Sequence, residues 1–188
     1  MNLANQLTVG RILLALATFI ALMRGSPDGH ALAFALFLAA IITDWIDGWV
    51  ARTTHSISAF GKIADPIADK ILVLGGLLAL TRAHVGIPLW AIFLIIAREL
   101  LMGGLRALAG AQGKVLSAER WGKWSMAVQS TAVLAIIGFL VARERLPQVP
   151  APLQQLPYFL TLLCALVAWL SAYLYYRQSR RMLEKSWG

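Results

Sequence analysis

Six long apolar stretches, separated by short polar segments, dominate the chain. They cover residues 7–23, 31–51, 61–81, 87–108, 122–142 and 156–176. Each is close to the roughly 20 residues that a helix needs to cross a bilayer. The segments between them, such as RGSPDGH and RERLPQVPAPLQQ, contain the Gly and Pro residues that are typical of turns. The pattern predicts an all-α integral membrane protein in which six transmembrane helices form one domain over residues 1–188.

The composition agrees with a membrane protein. Hydrophobic residues make up 59% of the chain and charged residues 14%, whereas soluble domains carry about 25% charged residues. The net charge is +8, but the basic residues are scattered between apolar spans, so nucleic acid is not an expected partner. The single cysteine, Cys164, cannot form an internal disulfide and is expected in helix packing. The three histidines, His30, His55 and His84, are expected in separate loops and indicate no zinc site.

The distribution of Lys and Arg predicts an orientation in the membrane. If the N-terminus is cytoplasmic, thirteen of these residues lie on the cytoplasmic side of the six spans. The opposite side has four, which are Arg24, Arg82, Arg143 and Arg145. Loops rich in Lys and Arg stay in the cytoplasm. Both termini are therefore predicted to be cytoplasmic, and the basic C-terminal segment RQSRRMLEK agrees with this orientation.

Four aspartates interrupt the apolar pattern between the second and third spans. Asp44 and Asp47 are three residues apart, and Asp65 and Asp69 are four apart, so each pair shares one face of a helix. The neighbouring positions on those faces are small residues, namely Gly48, Ala51 and Gly61. Because the linker between the two spans is short, the helices are expected to be antiparallel neighbours. Both acidic faces then lie near the cytoplasmic end of the membrane.

This arrangement of carboxylates indicates a site for divalent cations. Charged groups near lipid are costly and usually mark function. Oxygen-only ligands favour Mg²⁺, Mn²⁺ or Ca²⁺ over Zn²⁺, and two such ions can bind a phosphate and a leaving oxygen together. Arg52 is suited to bidentate contact with phosphate. The alternative is that the aspartates form structural ion pairs with Arg52, Lys62 and Lys70.

A longer pattern resembles a known family. The signature of the CDP-alcohol phosphatidyltransferases is matched in every position by Asp44-x2-Asp47-Gly48-x2-Ala51-Arg52-x8-Gly61-x3-Asp65-x3-Asp69. The segments AFGKIADPIADK, IIARELLMGGLRALAGAQGK and GKWSMAVQS resemble bacterial phosphatidylglycerophosphate synthases. The likeness covers roughly residues 5–130.

The resemblance implies a fold and an activity. It implies a six-helix bundle with a polar cavity that faces the cytoplasm, in a homodimer in the bacterial inner membrane. The enzyme would transfer the phosphatidyl group of CDP-diacylglycerol to glycerol 3-phosphate, giving phosphatidylglycerophosphate and CMP, as a step of phosphatidylglycerol biosynthesis. Members of this family with another acceptor (inositol phosphate, serine or phosphatidylglycerol) are the alternative. A divalent-cation transporter is the alternative from a different class, although the carboxylates lie near one side only and no repeat is visible.

The resemblance also implies roles for individual residues. One or two Mg²⁺ or Mn²⁺ ions would bind Asp44, Asp47, Asp65 and Asp69, and Asp69 would also be the general base. Gly48, Ala51 and Gly61 would line the CDP pocket, with Arg52 on the diphosphate. Asn5, Thr8 and Arg11 resemble the N-terminal NxLTxxR pattern of the family and would contact the nucleotide or diphosphate. The alternative for these three is helix capping and an interfacial arginine.

The acceptor phosphate needs cations, and the fourth span provides them. Arg98 and Arg106 are eight residues apart and lie on nearly the same helix face. Lys114 and Lys123 follow near the cytoplasmic end of that span and the start of the fifth. All four are candidates for binding the acceptor phosphate. For Arg98 the alternative is a salt bridge to a carboxylate of a neighbouring helix or to Glu99, and for the lysines it is a place at the membrane boundary.

Overall fold

The fold is known from a computed structural model, in which the described residues are 3–54, 59–111, 119–146 and 148–184. Within these ranges, the side chains of 3–5, 7, 47–54, 59–63, 111, 119–120 and 179–184 are not described. The described residues form helices and turns, without a strand. This confirms the all-α prediction for that part of the chain.

Six long helices coincide with the six predicted segments. They are α1 (Leu3–Met23), α2 (Pro27–Thr54), α3 (Ala59–Leu80), α4 (Leu89–Ala111), α5 (Glu119–Arg145) and α7 (Leu156–Glu184). The sequence prediction missed two short elements, a 3₁₀ turn at Thr81–Ala83 and the helix α6 (Ala151–Gln154).

Three stretches within these helices are long and apolar enough to cross a membrane. They are Pro27–Ile46 in α2, Trp121–Arg145 in α5 and Leu156–Gln178 in α7, and α1 contributes the shorter apolar stretch Thr8–Met23. Helices of this kind are typical of a membrane protein. The number of six spans stays a prediction.

The helices form two compact units. The first unit comprises residues 1–87 and 133–157, and the second comprises 88–132 and 158–188, so that α5 contributes to both. In the first unit α1 packs along α2 and α3, around buried side chains such as Phe37, Leu77 and Ile136. In the second unit Met102 of α4 and Tyr175 of α7 form a buried cluster. Cys164 of α7 is buried there, which confirms its expected place in helix packing.

The turn between α1 and α2 is fixed by its residue types. Gly25, two residues after the end of α1, takes a φ of 63°, a conformation that favours glycine. Ser26 then caps α2, because its Oγ accepts a hydrogen bond of 3.1 Å from the backbone N–H of Gly29, and Pro27 occupies the first helical position. As a result α2 begins before His30. The expectation that His30 lies in a loop is therefore wrong.

Gly76 of α3 gives a test of the packing in the first unit. A Cβ atom at this position would lie 2.9 Å from Cγ1 of Val133 and 3.5 Å from Cε2 of Phe37. Gly76→Ala is expected to destabilise the protein by about 1–3 kcal/mol, because overpacking displaces buried neighbours. Thermal unfolding in detergent measures the effect.

The adjacent Gly75 is the matched control for this variant. A Cβ atom there would meet only Cδ2 of Phe19, at 3.9 Å, which is an ordinary van der Waals distance. Gly75→Ala should leave stability unchanged or raise it slightly, since alanine is the better helix former. Equal unfolding temperatures for the two variants would contradict the close packing of Gly76.

Candidate active site

Two polar residues of α1 reach the acidic residues of α2 and α3. Thr8 and Arg11 are three residues apart and so share a helix face. Nη1 of Arg11 lies 2.8 Å from Oδ1 of Asp44 and 3.1 Å from Oδ1 of Asp69. Oγ1 of Thr8 donates a hydrogen bond of 2.6 Å to Oδ1 of Asp65. One face of α1 thus contacts three of the four motif aspartates.

The contacts of Arg11 bring two carboxylates from different helices together. Both distances end on the same nitrogen, so the Oδ1 atoms of Asp44 and Asp69 are separated by no more than the sum of those distances. Arg11 is fully buried, whereas the side chain of Asp44 is 52% exposed and that of Asp69 is 34% exposed. The guanidinium therefore lies beneath the two carboxylates, which face outwards. An outward-facing pair of carboxylates is accessible to a ligand.

The donor chemistry of this site fits a hard divalent cation. Its three described carboxylates offer oxygen atoms only, which suits Mg²⁺ or Mn²⁺ rather than Zn²⁺. Among the described side chains, no three His, Cys, Asp or Glu residues form a group with metal-binding spacing. Asp47 lies outside the described side chains. The metal ligand set therefore stays a prediction.

Several other predicted site residues also lie outside the described side chains. They are Asn5 in α1, Gly48, Ala51 and Arg52 in α2, and Gly61 in α3, whose helical backbones alone are described. Lys114 lies in a segment that the structure does not describe. Their predicted contacts with CDP and the acceptor stay predictions.

Arg11 is the candidate site residue whose contacts the sequence interpretation predicted incompletely. The sequence predicts Arg52, Lys62 and Lys70 as the partners of the aspartates if these form structural ion pairs. It assigns Arg11 to the nucleotide or diphosphate, or to the membrane interface. In the structure Arg11 pairs with Asp44 and Asp69. A signal for this pairing exists in the sequence, since an arginine within an apolar helix needs an opposite charge.

In the second unit Arg98 is buried, and each of its three guanidinium nitrogens has a polar partner. Its Nε donates a hydrogen bond of 3.1 Å to the carbonyl oxygen of Ala168, and Nη2 donates one of 2.5 Å to Oγ of Ser171. Nη1 pairs with the carboxylate of Glu99. For Arg98 the alternative to phosphate binding was a salt bridge to Glu99, and the structure has this salt bridge. Its contacts join α4 to α7.

Arg106 has a different environment from Arg98. Its side chain is exposed, lies beside the hydroxyl of Tyr175, and passes so close to Gly122 that a Cβ atom there would be 2.8 Å from Nη2. Lys123, the next residue of α5, is also exposed. Both side chains are accessible to an anionic ligand.

Comparison with known proteins assigns the family. A model of the CDP-alcohol phosphatidyltransferase family matches residues 1–176. A Bacillus subtilis protein named CDP-diacylglycerol–glycerol-3-phosphate 3-phosphatidyltransferase is 34% identical over 148 residues, which cover 72% of this chain and 76% of that protein. A Mycoplasma pneumoniae protein of the same name is 33% identical over 151 residues, 71% of this chain and 66% of that protein.

A differently named relative is nearly as similar. A protein of Oryza sativa subsp. japonica named cardiolipin synthase (CMP-forming) is 35% identical over 153 residues, 73% of this chain and 46% of the rice protein. The match thus spans less than two thirds of the Mycoplasma protein and less than half of the rice protein. The family model nevertheless covers nearly the whole chain and includes every motif aspartate, and the protein belongs to the CDP-alcohol phosphatidyltransferase family.

Proposed function

We propose that this protein transfers the phosphatidyl group of CDP-diacylglycerol to glycerol 3-phosphate, releasing CMP and forming phosphatidylglycerophosphate. The observation that carries the proposal is the meeting of Asp44 and Asp69, from two helices of the family motif, at one guanidinium. The names of the Bacillus and Mycoplasma relatives support glycerol 3-phosphate as the acceptor.

The proposed metal site is the set of four aspartates, Asp44, Asp47, Asp65 and Asp69. It takes one or two Mg²⁺ or Mn²⁺ ions, which suit an oxygen-only ligand set. When bound, the ions supply positive charge that stabilises the diphosphate and the departing CMP. Arg11 and Thr8 contact three of these carboxylates directly.

Asp69 is the proposed general base. It takes the proton from the acceptor hydroxyl as the hydroxyl oxygen forms its bond to the phosphatidyl phosphorus. The bond between that phosphorus and the bridging oxygen breaks, and CMP leaves with the electron pair. Asp69 suits this role because Arg11 fixes one of its oxygens at 3.1 Å while a third of the side chain is exposed.

The remaining residues are assigned to substrate binding. Gly48, Ala51 and Gly61 leave room for the CDP group, and Arg52 and Asn5 contact the nucleotide or diphosphate. Thr8 also belongs to this set, and its hydrogen bond to Asp65 supports a role that acts through this carboxylate.

Cationic side chains are assigned to the acceptor phosphate, namely Arg98, Arg106, Lys114 and Lys123. Arg106 and Lys123 are the strongest candidates because they are exposed. Arg98 is the weakest of the four candidates, because it is 2% exposed and its three guanidinium nitrogens already contact Ala168, Ser171 and Glu99. The protein is proposed to act as a homodimer with six spans in a bacterial inner membrane, with a cavity and both termini facing the cytoplasm.

The experiment that tests the proposal is release of CMP by the purified protein in detergent. The assay contains CDP-diacylglycerol and Mg²⁺ or Mn²⁺, with glycerol 3-phosphate, inositol 1-phosphate, serine and phosphatidylglycerol tested singly. Release with glycerol 3-phosphate supports the proposal. No release with any acceptor, from protein that unfolds cooperatively, would reject the enzyme and revive the cation-transporter alternative.

Phosphatidylglycerol is the second candidate acceptor. The specific observation in its favour is the similarity to the rice protein named cardiolipin synthase (CMP-forming). Release of CMP with phosphatidylglycerol alone would leave the donor, the metal site and the base unchanged. It would remove the acceptor role from Arg106 and Lys123, because this acceptor carries no phosphate dianion.

Arg106 and Gly122 together test the acceptor site. Arg106→Ala is expected to raise the KM for glycerol 3-phosphate by about tenfold or more, because a charge-assisted contact to phosphate is lost. Gly122→Ala should displace the same guanidinium, since its Cβ would lie 2.8 Å from Nη2, and should raise this KM several-fold. The measurement is steady-state CMP release with each substrate varied in turn.

The donor KM is the internal control for these two variants. It should change less than twofold in both, and unfolding temperatures should stay near that of the wild type, since the end of a flexible side chain can move at small cost. Equal effects on the two KM values would reject the assignment of Arg106 to the acceptor.

A further inference from the structure

The first unit has a cationic cavity at the end of its helices where α1 stops and α2 starts. Its volume is about 470 Å³, and its lining includes Arg24, Arg82 and Arg143. Arg24 follows α1, Arg82 lies in the 3₁₀ turn after α3, and Arg143 is in the last turn of α5. Three arginines from three separate segments of the chain therefore converge on one cavity.

The positive charge of this cavity is not neutralised by the described residues. None of the three arginine side chains has an ion pair or hydrogen bond within the described part of the chain. The one carboxylate in the lining belongs to Glu144, and its Oε1 is already 2.5 Å from Nδ1 of His30. The cavity consequently attracts an anion.

His30 adds a buried polar group to the same cavity. The residue is only 5% exposed, and its Nε2 has no hydrogen-bond partner among the described residues. A buried polar atom without a partner is costly. Nδ1 of His30 donates to the Glu144 carboxylate, so Nε2 is the accepting nitrogen of the neutral ring. A hydroxyl group that donates to Nε2 would remove this cost, so the site offers a directed contact in addition to charge.

A second cavity adjoins the cationic one, and its lining combines polar residues with one apolar wall. Its volume is about 430 Å³, and it shares His84 and Arg143 with the first cavity. The rest of its lining includes Val85, Phe139 and Leu146. A ligand that fills both cavities therefore has an anionic part and an apolar part.

The two cavities lie at one boundary of the membrane. The spanning stretch of α2 begins at Pro27 and that of α5 ends at Arg145, and nearby residues of these two helices, His30 and Glu144, line the cationic cavity. Lipid phosphates lie at this depth. The site is separate from the acidic one, because Asp44 follows His30 by fourteen residues in the same helix, which is about 20 Å along its axis.

The charge distribution of the sequence makes this cluster unusual. Only four Lys and Arg residues fall on the side of the membrane predicted to be non-cytoplasmic, where basic residues are generally scarce. Three of those four line this cavity. Snorkelling of single arginines to the interface does not account for their convergence.

We propose that the two adjoining cavities bind one anionic phospholipid molecule. Its phosphate lies among Arg24, Arg82 and Arg143, a headgroup hydroxyl donates to Nε2 of His30, and the start of an acyl chain lies against Phe139 and Leu146. A free phosphate ion would use the arginines but not the apolar wall. This site is independent of the proposed transfer reaction.

The test is lipid binding by the full chain in a non-ionic detergent. Native mass spectrometry would measure the affinity for phosphatidylglycerol, for the zwitterionic phosphatidylcholine and for inorganic phosphate. The double variant Arg82→Gln/Arg143→Gln is expected to bind phosphatidylglycerol about tenfold more weakly or worse, since arginine contacts to lipid phosphate are lost. Arg145→Gln is the matched control, because this exposed arginine of the same helix does not line either cavity.

A photoactivatable phosphatidylglycerol on the wild-type protein provides a measurement that needs no variant. Cross-links are expected in residues 80–87 and 139–149, and not in residues 40–70 around the acidic motif. Any of three results would overturn the proposal: equal affinity for phosphatidylglycerol and phosphatidylcholine, an equal loss in Arg145→Gln and the double variant, or cross-links confined to residues 40–70. Binding of inorganic phosphate without binding of the lipid would also overturn it.

Discussion

Asp69→Asn is expected to lower the rate of CMP release by at least about a thousandfold. Asparagine keeps the size of the side chain but does not take a proton, and loss of a general base alone costs about 10²- to 10⁴-fold. The same change replaces one of the two carboxylates that contact Nη1 of Arg11. The protein should still fold, because an amide oxygen can accept the hydrogen bond that Asp69 now receives from Arg11.

Two further variants separate the roles of Asp69. Asp28→Asn alters an exposed carboxylate in the first turn of α2 and should change the rate less than twofold. Asp44→Asn should lower the apparent affinity for Mn²⁺, and excess Mn²⁺ should restore part of its activity. Recovery of Asp69→Asn to the same extent would assign Asp69 to metal binding only, and would remove it from the base role.

The helices could be predicted from the sequence because the apolar segments are long and their ends carry strong local signals. The Ser26-Pro27 pair and Gly25 determine where α2 begins. The apolar pattern alone predicts the start of this helix at residue 31, because it does not register the polar first turn. The helix α6 was missed because four residues within a proline-rich segment give no periodic signal. Division into two compact units was not predicted either, since α5 belongs to both and has no break in its sequence.

The aspartate motif could be predicted because its spacing places each pair on one helix face. The partners of the aspartates could not, because helical periodicity does not tell which face of α1 meets which neighbour. Thr8 and Arg11 show this limit, since their contacts with Asp65, Asp44 and Asp69 span more than thirty residues of sequence. His30 and His84 line one cavity for the same reason, although they are distant in the sequence.

Arg11→Met is expected to lower the unfolding temperature in EDTA by roughly 4–8 °C. Arg11 is fully buried and contacts Asp44 and Asp69, and removal of one partner from a buried ion pair costs about 3–5 kcal/mol. The two carboxylates are partly exposed, so water screens them and about 2 kcal/mol is the more reasonable cost. For a chain of this length each kcal/mol corresponds to about 2–4 °C.

The response of Arg11→Met to Mg²⁺ tests whether the ion shares Asp44 and Asp69 with Arg11. A guanidinium and a divalent ion both balance the charge of the same carboxylates, so they compete in part. Mg²⁺ should therefore raise the unfolding temperature of Arg11→Met more than that of the wild type, and titration should show tighter binding of Mn²⁺ to the variant. Arg145→Met, which removes an exposed arginine at the end of α5, should behave as the wild type. If Mg²⁺ shifted Arg11→Met and the wild type equally, the ion would not share Asp44 and Asp69 with Arg11, and the proposed metal site would have to move to other residues of the motif.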